Sequence, residues 1–159
     1  MREFIFKFRN NQLPLNNRLS AYDNTVDPRC NFCRIIDNQS TTRDSFEHFF
    51  LTCRVTKSLL NNFSRKLEPA PDTNSEYFTK LYWFGSCDTD PHMEKFIILA
   101  MDLFRFVLWT FKCRKKVPNW PMFEREFNFL LVTTLDRNTS LKLGFMNLNM
   151  LANIYPALG

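Results

Sequence analysis

The spacing of apolar residues predicts helices over most of the chain. The clearest helix covers about residues 92–115, and another follows Pro121, which suits the first turn of a helix because proline has no N–H group. Shorter helical patterns cover residues 55–67, 76–84 and 140–158. The pattern therefore predicts a mainly α fold.

The N-terminal part mixes short apolar patterns with polar loops. Residues 1–10 fit a strand or a helix, since their phenylalanines alternate and also recur four residues apart. Asn16 or Asn17 is placed to cap a short helix, and Asp44 with Glu47 resembles a capping box that begins another. We therefore expect short elements joined by loops in this part.

Composition adds a bulky core to this picture. The 159 residues include 18 phenylalanines and only 3 glycines, and 45% of them are hydrophobic. So few glycines argue against a turn-rich β barrel or a glycine-rich phosphate loop. We predict a small N-terminal module over about residues 1–56, packed on a helical bundle over about residues 57–159.

Cysteine usage and the apolar runs indicate an intracellular protein without a membrane partner. The chain has 5 cysteines, an odd number, and residues 1–10 lack the apolar core of a secretory signal. The longest apolar run, residues 96–111, is too short to span a bilayer and contains Asp102 and Arg105. We expect a location in the nucleus or the cytoplasm, where clustered thiols more often bind metal than form disulfides.

Three of the cysteines and a histidine form a candidate metal-binding motif. Cys30, Cys33, His48 and Cys53 follow the spacing C-x2-C-x14-H-x4-C. Structural zinc sites use four nitrogen or sulfur ligands, and a C-x2-C turn supplies two of them. Because four protein ligands leave no position for a reacting water, the spacing predicts one structural zinc ion (Zn2+) and no metal catalysis.

Other interpretations of these residues stay open at this point. Cys53 continues a helical stripe with Phe49 and Phe50, which is typical of an ordinary core position, and a disulfide is a further alternative. On an unbroken α-helix five residues turn by about 500°, which leaves His48 and Cys53 roughly 140° apart. The zinc prediction therefore requires the helix to end or distort before Cys53.

A net charge of +5 permits binding to nucleic acid. Basic residues follow the long helix and flank the proposed ligands, and an aromatic ring between the two first cysteines is placed to stack on a base. The candidate contact residues are Arg29, Phe32, Arg34, Arg54, Lys112, Arg114, Lys115 and Lys116. Two alternatives remain: the helix dipole by itself favours cations at a helix C-terminus, and Phe32 can pack beneath the metal.

Several segments resemble the zinc-binding region that follows the reverse transcriptase domain of non-LTR (LINE-like) retrotransposons. The resemblance rests on FRNNQLPLNNRLSAY (8–22), DPRCNFC (27–33) and DSFEHFFLTCRVT (44–56), and it is looser over WTFKCRKKVPNWPMFEREFNFLL (109–131). In that family an N-N-R-L segment precedes C-x2-C, and E-H-x4-C follows. The retroviral zinc knuckle has the same ligand types but a far shorter middle gap.

The resemblance implies a segment of an RNA-directed DNA polymerase that positions template RNA or target DNA. Cys30, Cys33, His48 and Cys53 would then be the zinc ligands, and nucleic acid and the preceding reverse transcriptase domain would be the partners. This sequence lacks the aspartate-rich polymerase turn and the acid-and-lysine pattern of an endonuclease. We therefore expect a non-catalytic, nucleic-acid-binding segment; the alternative is a zinc-stapled helical protein–protein interaction module derived from a retroelement.

Overall fold

The computed structural model describes residues 1–66 and 91–136. Over these ranges the protein is mainly helical, as predicted, and extended pairing is limited to an isolated antiparallel bridge between Arg29 and Arg43. Within the same ranges no helix combines the length and the apolar character needed to cross a bilayer. The elements are α1 (Arg2–Arg9), α2 (Asn16–Leu19), α3 (Asn31–Ile36), a π-helical turn (His48–Thr52), α4 (Arg54–Ser64), α5 (Pro91–Cys113) and α6 (Trp120–Asp136).

The longer helices confirm the apolar pattern. α5 occupies nearly the predicted range, α6 has Pro121 in its first turn, and α4 also falls where a helix was predicted. The Asn119 side chain caps α6 by accepting a hydrogen bond from the Met122 N–H at 3.0 Å. The helices predicted over residues 76–84 and 140–158 lie outside the described residues.

The N-terminal elements are helical, but the predicted caps are not used. Of residues 1–10, which fitted a strand or a helix, Arg2–Arg9 form the helix α1, and α2 begins at Asn16 without a side-chain cap. Ser45 caps the turn before the π-helix, because its Oγ accepts a hydrogen bond from the His48 N–H at 3.1 Å. Asp44 does not act as the cap, since its buried carboxylate binds partners elsewhere in the chain.

The protein divides into two compact units. The first unit combines Met1–Leu59 with Arg105–Phe123, and the second combines Leu60–Phe104 with Glu124–Gly159. The first segment ends close to the boundary predicted at residue 56, whereas nothing in the apolar pattern assigned Arg105–Phe123 to the same unit. The unit that carries the candidate metal ligands therefore includes the C-terminal part of α5.

The core of the first unit is built from aromatic rings. Phe49 and Phe50 are completely buried, and their ring centroids lie 4.8 Å apart, edge to face. Phe8 of α1 packs on Phe50 at 4.9 Å, Phe32 of α3 packs on Phe49 at 5.3 Å, and Trp109 of α5 packs on Phe49 at 6.3 Å. Such pairs contribute about 0.5–1.5 kcal/mol each beyond the burial of their surface. The phenylalanines thus join several helices around the π-helical turn.

The described part of the second unit has an aromatic core of its own. Phe63 of α4 lies 5.0 Å from Phe104 of α5 and 5.2 Å from Phe127 of α6, measured between ring centroids. At the surface, Lys66 Nζ lies 3.4 Å from Glu124 Oε1, and an exposed pair of this kind contributes little to stability. Three helices therefore meet at Phe63.

Candidate metal centre

Cys30 and Cys33 are presented by the start of α3. Cys30 immediately precedes the helix, and its carbonyl oxygen accepts a hydrogen bond from the Arg34 N–H at 2.9 Å. The Cys30 N–H donates to the Thr42 carbonyl oxygen at 2.9 Å, beside the bridge at Arg29. Cys33 lies in the first turn of α3. These bonds hold the backbone from which both thiols project.

A π-helical turn brings His48 and Cys53 to the same side. The Cys53 N–H donates to the His48 carbonyl oxygen at 2.6 Å, and this bond closes the wider turn of His48–Thr52. A π-helix has about 4.4 residues per turn, so five residues rotate by roughly 410° and leave the two side chains about 50° apart, instead of about 140° on an α-helix. The distortion that the zinc prediction required is therefore present.

The four side chains converge on one point. The donor atoms of Cys30, Cys33, His48 and Cys53 all lie within 4.8 Å of one another. Cys33 Sγ is 3.3 Å from His48 Nε2 and 3.8 Å from Cys53 Sγ. Zn–S bonds of about 2.3 Å in a tetrahedron set neighbouring sulfurs about 3.8 Å apart, whereas a disulfide holds them at about 2.05 Å. The group is therefore small enough to hold a metal ion, and its three cysteines are free thiols.

Hydrogen bonds and burial shift the pKa values of the three thiols in different directions. The Cys30 thiol donates to Cys53, which lowers the pKa of Cys53 and raises the pKa of Cys30. The N–H groups of Thr56 and Val55, at the start of α4, further lower the pKa of Cys53. Burial raises the pKa of the Cys33 thiol. Of the three thiols, Cys53 therefore has the lowered pKa and is the one that loses its proton most readily, and a divalent cation bound here would favour the thiolate form of all three.

The imidazole of His48 is oriented for metal binding through Nε2. Nε2 faces the sulfur of Cys33 at 3.3 Å, while Nδ1 lies 3.2 Å from Thr52 Oγ1. With Nε2 as the ligand atom, Nδ1 carries the proton, and its N–H donates a hydrogen bond to the hydroxyl oxygen of Thr52. A bond of this kind fixes the tautomer and the ring plane of a metal-binding histidine.

Thr52→Val is expected to weaken zinc binding by about 10–100-fold, because it removes the acceptor for Nδ1 and keeps the shape of the side chain. Competition with a chromogenic chelator measures the change. Thr52→Ser keeps a hydroxyl and is the matched control, with zinc affinity close to that of the wild type. Equal affinity in all three proteins would contradict the role given to Thr52.

A buried ion pair joins α5 to the segment that precedes His48. Asp44 Oδ2 accepts hydrogen bonds from the Asn16 N–H at 2.7 Å and from Lys112 Nζ. Lys112 is 4% exposed, and its ammonium lies 4.9 Å from the centroid of the Phe49 ring. Asp44 is fully buried, and its Oδ1 has no hydrogen-bond partner. The carboxylate therefore depends on Lys112 and Asn16 for compensation of its charge.

The structure corrects two of the predicted nucleic-acid contacts. Phe32 is fully buried against Phe49, so its ring is not available to stack on a base. Lys112 is withdrawn from the surface because its ammonium is paired with Asp44. The alternative in which Phe32 packs in the interior is the one that the structure supports.

The remaining candidate cations differ in how far their side chains are exposed. Arg29 and Arg34 are half-buried, and both pair with Asp27 Oδ2, at 2.7 and 3.3 Å. The bonds from Arg29 lower the pKa of Asp27, so this carboxylate is ionised at neutral pH and offsets part of the two positive charges. The candidate cations with exposed side chains are Arg54, Arg114, Lys115 and Lys116.

Two residues that support the site were not recognised from the sequence. Thr52 lies four residues after His48, and side chains at that spacing meet on a helical turn, so this signal was present. The partner of Asp44 lies 68 residues away along the chain. The sequence signal for this partner was the spacing of Lys112, which follows the buried Leu108 by four residues and therefore lies on the apolar face of α5.

Comparisons with protein-family models, with curated proteins and with solved structures find no match for the chain. The resemblance to the retrotransposon region, carried mainly by residues 8–56, therefore stays a prediction.

Proposed function

We propose that Cys30, Cys33, His48 and Cys53 bind one zinc ion, and that the unit held by this ion is a non-catalytic nucleic-acid-binding segment. The observation that carries the proposal is the convergence of the four donor atoms within 4.8 Å of one another. The three sulfurs and the imidazole nitrogen are ligand types that zinc commonly has in proteins, and their separations fit a tetrahedral zinc site.

The proposed zinc site is structural. Four protein ligands close the coordination shell, so no position remains for a substrate or a reacting water. Bound zinc would contribute folding energy by joining α3 to the π-helical turn, two elements too short to be stable alone. Cys53 immediately precedes α4, and its carbonyl oxygen accepts a hydrogen bond from the Lys57 N–H at 2.8 Å, so the same ion would fix the start of that helix.

Nucleic-acid binding is supported by exposed positive charge and by the resemblance to the retrotransposon region. The chain carries a net charge of +5, and Arg114, Lys115 and Lys116 are consecutive exposed residues that follow α5. Cations of this kind bind phosphates and release counterions, which makes affinity depend on salt. In the proposed context the segment positions template RNA or target DNA for a reverse transcriptase domain that precedes it.

Reversing two charges tests the nucleic-acid proposal. Lys115→Glu/Lys116→Glu should weaken binding to single-stranded RNA by about 30-fold or more at about 0.1 M salt, because each lost phosphate contact weakens binding about fivefold and each glutamate adds repulsion. Arg65→Glu/Arg125→Glu changes the net charge equally at two exposed residues of the second unit and should bind nearly as the wild type does. Fluorescence anisotropy with labelled RNA measures both variants.

A zinc-stapled protein–protein interaction module is the second candidate. It is favoured by exposed apolar side chains on the first unit. Tyr22 is 85% exposed, and Ile35 and Ile36, which are consecutive in the sequence, are each 52% exposed. The charge-reversal experiment separates the two candidates. Unchanged RNA binding in both double variants, with folding intact, would favour the interaction module.

A further inference from the structure

α5 ends in a Schellman motif with a lysine at its left-handed position. The Lys115 N–H donates to the Lys112 carbonyl oxygen at 2.9 Å, and the Lys116 N–H donates to the Phe111 carbonyl oxygen at 3.0 Å. Lys115 has a φ angle of 52°. Glycine is preferred at this position because it has no β-carbon to collide with the backbone, and asparagine is the usual alternative. A lysine in this position therefore needs a separate explanation.

α1 ends in the same motif and provides a comparison within the first unit. The Asn11 N–H donates to the Phe8 carbonyl oxygen at 3.0 Å, and the Gln12 N–H donates to the Lys7 carbonyl oxygen at 2.7 Å. Asn11 has a φ angle of 50°, and asparagine tolerates this conformation. Local backbone chemistry therefore accounts for Asn11 and does not account for Lys115.

The helix dipole does not account for Lys115 either. A helix C-terminus favours cations within its last turn, and Lys112 already occupies the last turn of α5. The ammonium of Lys112 is buried against Asp44, so this end of α5 is fixed within the first unit. Arg114, Lys115 and Lys116 follow directly as exposed residues beyond that anchor.

We infer that this left-handed turn is a phosphate-binding element, in which Lys115 contacts the phosphodiester backbone of a nucleic acid together with Arg114 and Lys116. The inference rests on the proposed function and names the chemical group that the segment binds. Cations on a fixed turn bind phosphates without reading base edges, and the ring of Phe32 is buried away from any base. Affinity should therefore depend strongly on salt and weakly on base sequence.

The test measures binding of the zinc-loaded full chain to single-stranded RNA and to duplex DNA over a range of salt concentrations. Lys115→Gly should reduce the slope of log binding constant against log salt by about 0.7 on RNA and about 0.9 on duplex DNA, which weakens binding about five- to eightfold at about 0.1 M salt. Its melting temperature should equal or exceed that of the wild type, because glycine adopts a positive φ without strain. Lys115→Arg keeps the charge and should bind like the wild type.

Asn11→Gly is the matched control, since it places glycine in the same motif without changing charge; its salt slope should equal that of the wild type.

Wild-type salt slopes on both probes for Lys115→Gly would overturn this inference and leave the proposed function standing. Weaker binding with an unchanged slope and a lower melting temperature would also overturn it, because that result indicates a structural role. A wild-type chain that binds neither probe at low salt would overturn the proposed function as well. A reduced slope on one probe alone would support the inference and identify RNA or duplex DNA as the partner.

Discussion

Lys112→Met is expected to lower the free energy of unfolding of the first unit by about 3–5 kcal/mol, because it leaves the buried Asp44 carboxylate without its cation. The loss should be large since Asp44 is completely buried and its Oδ1 already has no hydrogen-bond partner. Methionine keeps most of the apolar volume of the lysine stem, so the effect reports the charge and not a cavity. Urea unfolding followed by circular dichroism measures it.

Lys116→Met is the matched control for this substitution. It makes the same change at an exposed residue near the same helix end and should alter stability by less than about 0.5 kcal/mol. Asp44→Asn/Lys112→Met should recover part of the loss, because the uncharged amide oxygen can still accept the hydrogen bond from the Asn16 N–H. If Lys112→Met were as stable as Lys116→Met, the ion pair would have no structural role.

Removal of zinc is expected to unfold the first unit. Structural zinc binding contributes about 10–16 kcal/mol in small domains at neutral pH, which is at least as large as the stability of many proteins, about 5–15 kcal/mol. A strong chelator, or the substitution Cys53→Ser, should therefore abolish the part of the near-ultraviolet circular dichroism that the aromatic core of the first unit contributes. Cys113→Ser changes an exposed cysteine outside the ligand group and should keep both the signal and the metal. Retention of the wild-type signal after chelation would contradict the role of zinc in folding.

The ligand group was accessible from the sequence because its information is local. Two C-x2-C sulfurs and an H-x4-C pair lie within 24 residues (30–53), and short polar loops are sufficient to bring them together. The helical pattern likewise predicted α5 and α6, since one buried face recurs at a period of 3.6 residues. Local spacing also showed where the geometry had to depart from an α-helix, between His48 and Cys53.

The remaining features depend on contacts between distant parts of the chain. The sequence predicted that the helix ends or distorts before Cys53, but it did not predict a π-helical turn. The residues of this turn, Phe49 and Phe50, pack on helices that are distant in the sequence, and the local spacing does not show these contacts. Asp44 resembled a helix cap because the sequence alone does not show whether an aspartate caps a helix or is buried in an ion pair. Its true partner, Lys112, is brought to it by tertiary packing, and the same packing assigns Arg105–Phe123 to the first unit. The surface role predicted for Lys112 was wrong for this reason.

Native mass spectrometry of the full chain, purified without added metal, tests the central claim most directly. We expect one zinc ion per chain in the wild type and in Cys113→Ser, and no bound zinc in His48→Ala. Loss of that mass after treatment with a strong chelator, together with loss of the folded signal, would support a closed structural site. A wild-type chain that is free of metal and remains folded would contradict the account, and the four residues would then be a partly buried cluster of thiols and an imidazole without a zinc ion.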